Sequence, residues 1–300
     1  MSCKGYKGFN PDFTCKGKQY AENTVFEEPE AEVCKSGMHF CENPFDVLDY
    51  YGFVGDDGTP NEFAEVESLD EPKTDDEKKF CTKKLKIGVK LGLSGFIKAC
   101  VDFVLEKTVN DMPSAAIDSG DSARIGSSGY SARIGSSGDS AQIGSSGNYA
   151  QIGSSGYYAR IGSSGNYAQI GSSGYYARIG SSGDSAQIGS SGNYAQIGSS
   201  GNYARIGSSG DSAQIGSSGD CARIGSSGED SVICCAGHGS VVKASVGCWI
   251  TLAEWKYDGK KGRAVPVCVK TEYVDGEKIK ADTPYTLKNG EFVEAAADGD

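Results

Sequence analysis

DSAQIGSSG, at Asp139–Gly147, is one unit of a nine-residue repeat that decides the fold of this chain. Isoleucine recurs every nine residues from Ile125 to Ile233 without one interruption. The units follow the pattern [DNY]-[SYC]-A-[RQ]-I-G-S-S-G. Most of the 43 glycines fall in this block, so the repeat has to be interpreted before the overall composition.

Alanine and isoleucine lie two positions apart between polar or aromatic residues, which is the period of a short β-strand. We expect both to point inward, and we expect Gly-Ser-Ser-Gly to form the turn, with glycine supplying positive φ. Strands stacked about 4.8 Å apart would place the isoleucines in one internal column. The repeat therefore predicts a parallel β-solenoid. A coil of two units, or 18 residues, with two facing sheets is favoured, and a triangular coil of three units stays open.

Two other interpretations of the repeat are disfavoured. A disordered Gly/Ser linker would not keep an alanine and an isoleucine at fixed spacing. Calcium-binding nonapeptide repeats carry a recurring aspartate, whereas the first position of these units changes among Asp, Asn and Tyr. We therefore expect a packed rod without bound calcium.

Alternate units share a face in a two-unit coil. The position before alanine is often tyrosine in the middle of the rod, and the position after alanine is arginine or glutamine. Tyrosine and arginine are enriched in the hot spots of protein interfaces, although stacked side chains can also simply stabilise neighbouring strands. The predicted protein-binding surface consists of Tyr157, Tyr158, Arg160, Tyr175, Tyr176, Arg178 and Tyr194.

The chain is predicted to be mainly β, in four regions. These are a small α+β domain at residues 1–112, the solenoid at 113–242, a short β-rich domain at 243–294 and a disordered tail at 295–300.

Local signals predict individual elements on both sides of the repeat. Asn43 can cap a helix that begins at Pro44. Ser94 can cap a second helix, which could also cover the open end of the solenoid. The dipeptide Asn289-Gly290 predicts a hairpin turn within Tyr285–Phe292.

The formal charge of −11 arises mainly at the N-terminus, since residues 1–118 hold 23 acidic and 14 basic residues. A net-acidic chain has no general attraction for phosphate backbones or anionic lipid, so we expect neither direct nucleic-acid binding nor membrane binding. A protein partner with a basic surface fits this charge better. The start of the sequence has no leader pattern, and eleven cysteines without a regular framework indicate reduced thiols in the cytoplasm.

The sequence predicts no catalytic residue, no metal and no cofactor, because no nucleotide-binding or nucleophile motif is found. A structural role is favoured for His39. The adjacent Cys234 and Cys235 are expected to be buried free thiols. A zinc site is disfavoured but left open at four cysteines without a close Cys-x-x-Cys pair, namely Cys3, Cys15, Cys34 and Cys41.

The run KGYKGF at Lys4–Phe9, Cys15 and the stretch GMHFCENPFDVLDYY at Gly37–Tyr51 resemble the N-terminal part of a family of uncharacterised bacterial and phage proteins. Similar chains continue with nonapeptide repeats and with a tail like Gly247–Ile250 and Val274–Glu277. The resemblance implies a mobile-element context and the cytoplasm of a bacterial host. It brings no known activity and no catalytic residues.

Three function hypotheses follow. The first is a non-enzymatic protein-binding solenoid of phage type that inhibits a host defence complex acting on nucleic acid. The second is an ADP-ribosyltransferase-like enzyme in the N-terminal domain, because Gly37–Phe40 before a helix ending at Tyr50-Tyr51 resembles segments of such enzymes. The third is a structural protein that forms a homo-oligomer through its solenoid.

Overall fold

A computed structural model describes residues 3–33, 35–75, 78–110, 115–117 and 120–295. The protein is mainly β, with a parallel β-solenoid, an α+β region before it and further strands after it. We call residues 3–110 the head and the solenoid the rod. In the described ranges, no helix combines the length and the apolar character needed to cross a membrane.

The head is built on a six-stranded antiparallel sheet with the strand order β4-β8-β6-β1-β5-β7, and β2 and β3 form a separate small hairpin. The strands are β1 (Cys3–Phe9), β2 (Thr14–Cys15), β3 (Lys18–Gln19), β4 (Val25–Glu27), β5 (Met38–Cys41), β6 (Glu62–Ser68), β7 (Lys79–Thr82) and β8 (Lys84–Lys90).

The head has two helices in its described residues, and both contact the rod. Helix α1 (Pro44–Val47) begins where the sequence predicts, because the Asn43 side chain accepts a hydrogen bond from the Phe45 amide at 3.0 Å. Helix α2 (Gly92–Asn110) begins two residues before the predicted cap, so the assignment of Ser94 as the cap is wrong. The reason is Gly92, whose φ of 59° lets the chain turn into the helix earlier.

The repeat folds into about seven turns of about 18 residues. Each strand pairs in parallel register with the strand two units later, so that Ile125 lies beside Ile143 and Ile143 beside Ile161. Strands of alternate units therefore form two separate sheets that face each other. This confirms the two-unit coil and makes the triangular alternative wrong.

We call the two sheets the open sheet and the covered sheet, because the head lies on only one of them. The open sheet contains β10 (Arg124–Ser127), β12 (Gln142–Ser145), β14 (Arg160–Ser163), β16 (Arg178–Ser181), β18 (Gln196–Ser199), β20 (Gln214–Ser217) and β22 (Val232–Cys235). The covered sheet contains β9 (Ala115–Ile117), β11 (Arg133–Ser136), β13 (Gln151–Ser154), β15 (Gln169–Ser172), β17 (Gln187–Ser190), β19 (Arg205–Ser208), β21 (Arg223–Ser226) and β23 (Val241–Ala244).

Three positions of each unit point into the rod. In one unit they are Ala177, Ile179 and Ser181, which are 0%, 3% and 6% exposed. The first serine of Gly-Ser-Ser-Gly is thus an inward strand residue, and the preceding glycine faces outward. Placing the whole of Gly-Ser-Ser-Gly in the turn is therefore wrong, because the strand alternation continues for two residues beyond isoleucine.

The turn also differs from the prediction in its backbone. Positive φ occurs at the residue before alanine, as at Tyr149 (57°) and Cys221 (56°), and not at the turn glycine. The turn glycine is needed because the coils stack closely. A Cβ on Gly174 would lie 1.8 Å from the carbonyl oxygen of Gly156 in the preceding coil, so no larger residue fits.

Helix α2 packs along the face of the covered sheet, between the rod and the head sheet. A Cβ on Gly153 would lie 3.1 Å from the Cα of Val101, and one on Gly189 would lie 2.9 Å from the Ile97 side chain. Glycine thus lets the helix approach the sheet closely. On its other side, α2 contributes Phe96, which stacks on Phe63 of the head sheet at 3.7 Å between ring centroids.

The C-terminal strands are β24 (Trp249–Asp258), β25 (Arg263–Tyr273), β26 (Tyr285–Lys288) and β27 (Glu291–Glu294). Strand β24 pairs with β22 and β26 pairs with β23, so these two hairpins extend both sheets of the rod. The predicted Asn289-Gly290 turn is confirmed, with φ values of 54° and 74°. The domain boundaries stay predictions, and residues 111–114 and 296–300 lie outside the described ranges.

Candidate functional site

The five tyrosines of the predicted surface form two adjoining exposed columns along an edge of the rod, in the turns that lead from the covered sheet to the open sheet. The ring centroids of Tyr158 and Tyr176 are 5.4 Å apart, and those of Tyr176 and Tyr194 are 5.0 Å apart. Tyr157 and Tyr175 form a second column beside them, with a centroid distance of 5.3 Å. We call these five residues the tyrosine edge.

The backbone changes within the tyrosine edge. Tyr176 has a φ of 55°, and its amide donates a hydrogen bond to Asn193 in the next coil. Tyr158 is not among the described residues with positive φ, and its amide donates to Asp139 in the preceding coil. The rings stack across this change, so the aromatic ladder does not depend on a single turn conformation.

Arg160 and Arg178 lie on the outer face of the open sheet, in register on neighbouring strands. Both are exposed, and Arg205 is the only arginine with an ion pair in the part of the chain that the structure describes. Each follows a buried alanine, Ala159 or Ala177, that separates it from the tyrosine edge. The predicted surface therefore has two adjoining parts, an aromatic edge and a cationic sheet face.

A row of glycines runs beside the Arg/Gln row on the open sheet. A Cβ built on any of six of these glycines would meet no atom within 4 Å. They are Gly126, Gly144, Gly162, Gly180, Gly198 and Gly216. The two rows line a shallow groove of about 1200 Å³ along the rod.

Cys234 replaces glycine at the C-terminal end of this row and is exposed, whereas Cys235 points inward and is buried. The expectation that both thiols are buried is therefore wrong for Cys234. The pair lies on a strand, where neighbouring side chains point to opposite faces.

The head occupies the same two rows on the covered sheet. Its apolar helix α2 lies on the glycine row, and its carboxylates and carbonyls bind the Arg/Gln row. Burial raises the pKa of Asp46 and of Asp49, which lie at this interface. The hydrogen bonds of these groups include Gln151 Nε2 to Asp46 Oδ1 (3.3 Å), Gln169 Nε2 to Asp49 Oδ1 (3.0 Å), Gln187 Nε2 to Leu48 O (2.8 Å) and Arg205 to Val54 O (2.7 Å) and Asp56 Oδ1 (2.5 Å).

Two further features lie at the rod edges, and the second was not found from the sequence. Tyr149 and Tyr167 stack along the opposite edge at a centroid distance of 5.0 Å, and the Tyr130 ring lies tilted against Tyr149 at 5.3 Å. The first position of the unit also has a role: Asn148 Oδ1 accepts the Asn166 amide, and Asn166 Oδ1 accepts the Asp184 amide, each at 2.9 Å. The sequence signal for this role is that the first position of the unit is often Asp or Asn, which both carry a short side chain with a hydrogen-bond acceptor.

A second candidate site is a cavity of about 200 Å³ in the head, lined in part by β1 and β5. Lys7 is only 6% exposed, and its Nζ donates to the carbonyl oxygen of His39 at 3.0 Å and to Cys15 Sγ at 3.4 Å. The Tyr51 hydroxyl donates to the same sulfur at 3.1 Å. Burial lowers the pKa of Lys7 and raises that of Tyr51. We call this space the head cavity.

His39 also lines the head cavity. Its burial, together with the charges of Lys79, Lys7 and Lys16, lowers its pKa to about 4, so the imidazole is neutral at neutral pH. The two segments behind the transferase hypothesis, Gly37–Phe40 and Tyr50–Tyr51, both line this cavity. Helix α1 ends at Val47, so the expected helix ending at Tyr50–Tyr51 is wrong, and the two tyrosines reach the cavity from the turn that follows the helix.

The cysteines considered for zinc occupy different surroundings. Cys3 Sγ lies 2.9 Å from a Glu42 carboxylate oxygen, and Cys15 lies between Lys7 and Tyr51. Cys34 falls outside the described residues. Across the described ranges, no group of three or more His, Cys, Asp or Glu side chains is placed to hold a metal ion.

Comparisons with known proteins bear on the head alone. A search of the curated proteins and a search of the solved structures each found no match. Residues 3–99 match a family model described as a domain of unknown function, DUF7666. The match agrees with the expected resemblance of the N-terminus to an uncharacterised family, and it does not extend to the repeat. The N-terminal third of the chain is therefore similar to an uncharacterised domain family.

Proposed function

We propose that this protein is a non-enzymatic protein-binding β-solenoid whose partner docks on the open sheet and the tyrosine edge. The observation that carries the proposal is the difference between two sheets with the same repeat. The covered sheet holds a protein surface, namely the head, and the open sheet presents the same rows of glycine, arginine and glutamine to solvent.

The head indicates what kind of surface fits these rows. An apolar helix face enters the glycine row, as Ile97 does near Gly189, and carboxylates bind the adjacent polar row, as Asp49 binds Gln169. A partner of the open sheet therefore presents an apolar helix flanked by acidic side chains. The net charge of −11 favours a basic surface on a partner as a whole, whereas the arginines favour carboxylates at this one face.

The tyrosine edge adds contact area to this site. Tyr158, Tyr176 and Tyr194 are 54%, 42% and 47% exposed, and stacking fixes their rings in one direction. Ordered rings lose little side-chain entropy on binding, which is why tyrosine is frequent in hot spots. On the strength of the N-terminal resemblance, the first partner to test is a nucleic-acid-targeting defence complex of a bacterial host.

The test is a pull-down from host lysate with the full-length chain and two single variants. Tyr176→Ser should abolish recovery of a stoichiometric partner, and Tyr167→Ser, on the opposite edge, should retain it. Both changes are compatible with the fold, because Ser185 and Ser212 occupy the same repeat position with similar φ values of 56° and 55°. Failure to recover any stoichiometric partner, or equal recovery with both variants, would contradict the proposal.

Self-assembly remains a second candidate because β25 is an edge strand with exposed apolar side chains. Val267 and Val269 are 49% and 64% exposed, and an unpaired strand edge can pair with another chain. Size-exclusion chromatography with light scattering separates the two functions. A monomer at all concentrations would remove self-assembly, whereas a Val269→Lys variant that dissociates an oligomer would support it.

A further inference from the structure

The head cavity concentrates positive charge in an acidic part of the chain. Its lining includes one carboxylate, Glu28, and that group is ion-paired with Lys18. Four lysines line the cavity, namely Lys7, Lys16, Lys18 and Lys79. Because residues 1–118 hold 23 acidic and 14 basic residues, this cluster runs against the charge of its surroundings.

Lys7 is the most informative of these lysines. In the described part of the chain, no carboxylate lies within ion-pair distance of its Nζ. Burying an ammonium group without a counter-charge costs several kcal/mol, so such a group is rarely retained without a role. In its charged form, which an anionic ligand would favour, the Lys7 amino group has three N–H donors, and the bonds to His39 and Cys15 use two of them, so one donor is left for the ligand.

The walls around Lys7 are aromatic and largely apolar. Tyr20 is only 6% exposed, and Lys7 Nζ lies 5.6 Å from the centroid of its ring. Tyr51 and Met38 line the same space. At an exposed part of the lining, the Nζ of Lys79 lies 4.4 Å from the centroid of the half-exposed Tyr50 ring, so a second cation lines the cavity.

We propose that the head cavity binds a small organic anion, in which a carboxylate or phosphate group contacts Lys7 Nζ and a single flat ring packs against Tyr20 and Tyr51. The volume of about 200 Å³ is below the roughly 300 Å³ at which pockets for drug-sized ligands begin. The cavity therefore encloses one ring with one anionic group, and a dinucleotide would extend beyond it. This site is independent of partner binding at the open sheet.

Benzoate, phenyl phosphate and the neutral analogue benzamide are suitable probes, with binding measured by isothermal titration calorimetry on the full-length chain. We expect either anion to bind at least about tenfold more tightly than benzamide, which corresponds to about 1.4 kcal/mol from the charge-assisted hydrogen bond. Equal binding of benzoate and benzamide, or no saturable binding of either anion, would overturn the proposal with the wild-type chain alone.

A matched pair of variants locates the anion. Lys7→Met keeps the length of the side chain and removes its charge, so anion binding should fall to the level of benzamide. Replacing a buried charge with an apolar residue often leaves stability unchanged or raises it, so the midpoint of thermal unfolding should not fall. Lys288→Met, at an exposed position of β26, should bind the anions like the wild type. Full retention of benzoate affinity by Lys7→Met would refute the assignment to this cavity.

Discussion

The two sheets of the rod have the same repeat and different surroundings. Both sheets bury alanine, isoleucine and serine inside, and both present arginine or glutamine next to glycine outside. On the covered sheet a Cβ added at the outer glycines would meet Leu93, Ile97 or Val101 of α2, whereas on the open sheet it would meet no atom within 4 Å. The repeat therefore gives both sheets the same inner face. The position of the head determines which outer face is covered and which is exposed.

The largest expected effect on stability comes from substitutions in the interior of the rod, which both sheets share. Ile188→Ala on the covered sheet and Ile179→Ala on the open sheet should each lower the free energy of unfolding by about 3 kcal/mol, because both side chains are almost fully buried in the same hydrophobic core. Urea denaturation followed by circular dichroism measures both. A difference of more than about 1 kcal/mol between the two variants would mean that the head stabilises one column more than the other.

Replacing an outer glycine with alanine should change the stability of the protein differently on the two sheets. A Cβ on Gly225 of the covered sheet would lie 2.3 Å from the carbonyl oxygen of Gly58, and one on Gly216 of the open sheet would contact nothing. We expect Gly225→Ala to destabilise the protein by about 2 kcal/mol, whereas Gly216→Ala should be neutral or stabilise it by about 0.5 kcal/mol. Thermal unfolding of the two variants, nine residues apart in the chain, gives the comparison. Equal losses of stability in the two variants would contradict the expected difference between the sheets.

Substitutions in the Arg/Gln rows of the two sheets should differ less in their effect on stability. Arg205 on the covered sheet donates to Val54 O and pairs with Asp56, whereas Arg178 on the open sheet has no such partner in the described residues. Arg205→Gln should cost about 1 kcal/mol, and Arg178→Gln should leave stability unchanged. Glutamine already occupies this repeat position in other units, so the backbone tolerates both changes. Hydrogen exchange at residues 52–58 provides a local readout, and unchanged exchange in Arg205→Gln would count against the contact.

The smallest effect concerns pH at the covered sheet. Burial raises the pKa of Asp46 in the folded protein, so the folded state binds its proton more tightly than the unfolded state does. Stability from this group is therefore highest below the usual carboxyl pKa and declines as the pH rises through the raised value. Asp46→Asn keeps the oxygen that accepts from Gln151 and removes the charge.

We accordingly expect Asp46→Asn to match the wild type near pH 4 and to be slightly more stable near pH 7. Denaturant titrations at the two pH values measure the difference between the variant and the wild type, which cancels the titration of other groups. A difference that does not change with pH would show that Asp46 is not protonated more readily in the folded state. Asp139→Asn, at an exposed position of the rod where other repeat units carry Asn, serves as the control.

Much of the rod could be predicted from the sequence, and much of the candidate site could not. The tyrosine edge was found because side chains at a fixed position of alternate units must stack in a two-unit coil. The sequence pattern predicts the wrong role for Gly-Ser-Ser-Gly, because glycine is typical of turns with positive φ, whereas Tyr149 and Cys221 adopt that conformation here. The head cavity was missed because Lys7, Cys15, His39 and Tyr51 are scattered along the first part of the chain and meet only in the folded sheet.

By itself, the sequence determined the solenoid, its 18-residue coil and the identity of its inward column, because these follow from a local period repeated without interruption. Tertiary structure alone decided that one sheet is covered and the other open. The repeat is nearly the same on both, so no local pattern distinguishes them. The choice depends on where α2 and the loop at residues 52–58 meet the rod. Contacts between segments more than a hundred residues apart in sequence, such as Gln169 with Asp49, are set by packing and not by local spacing.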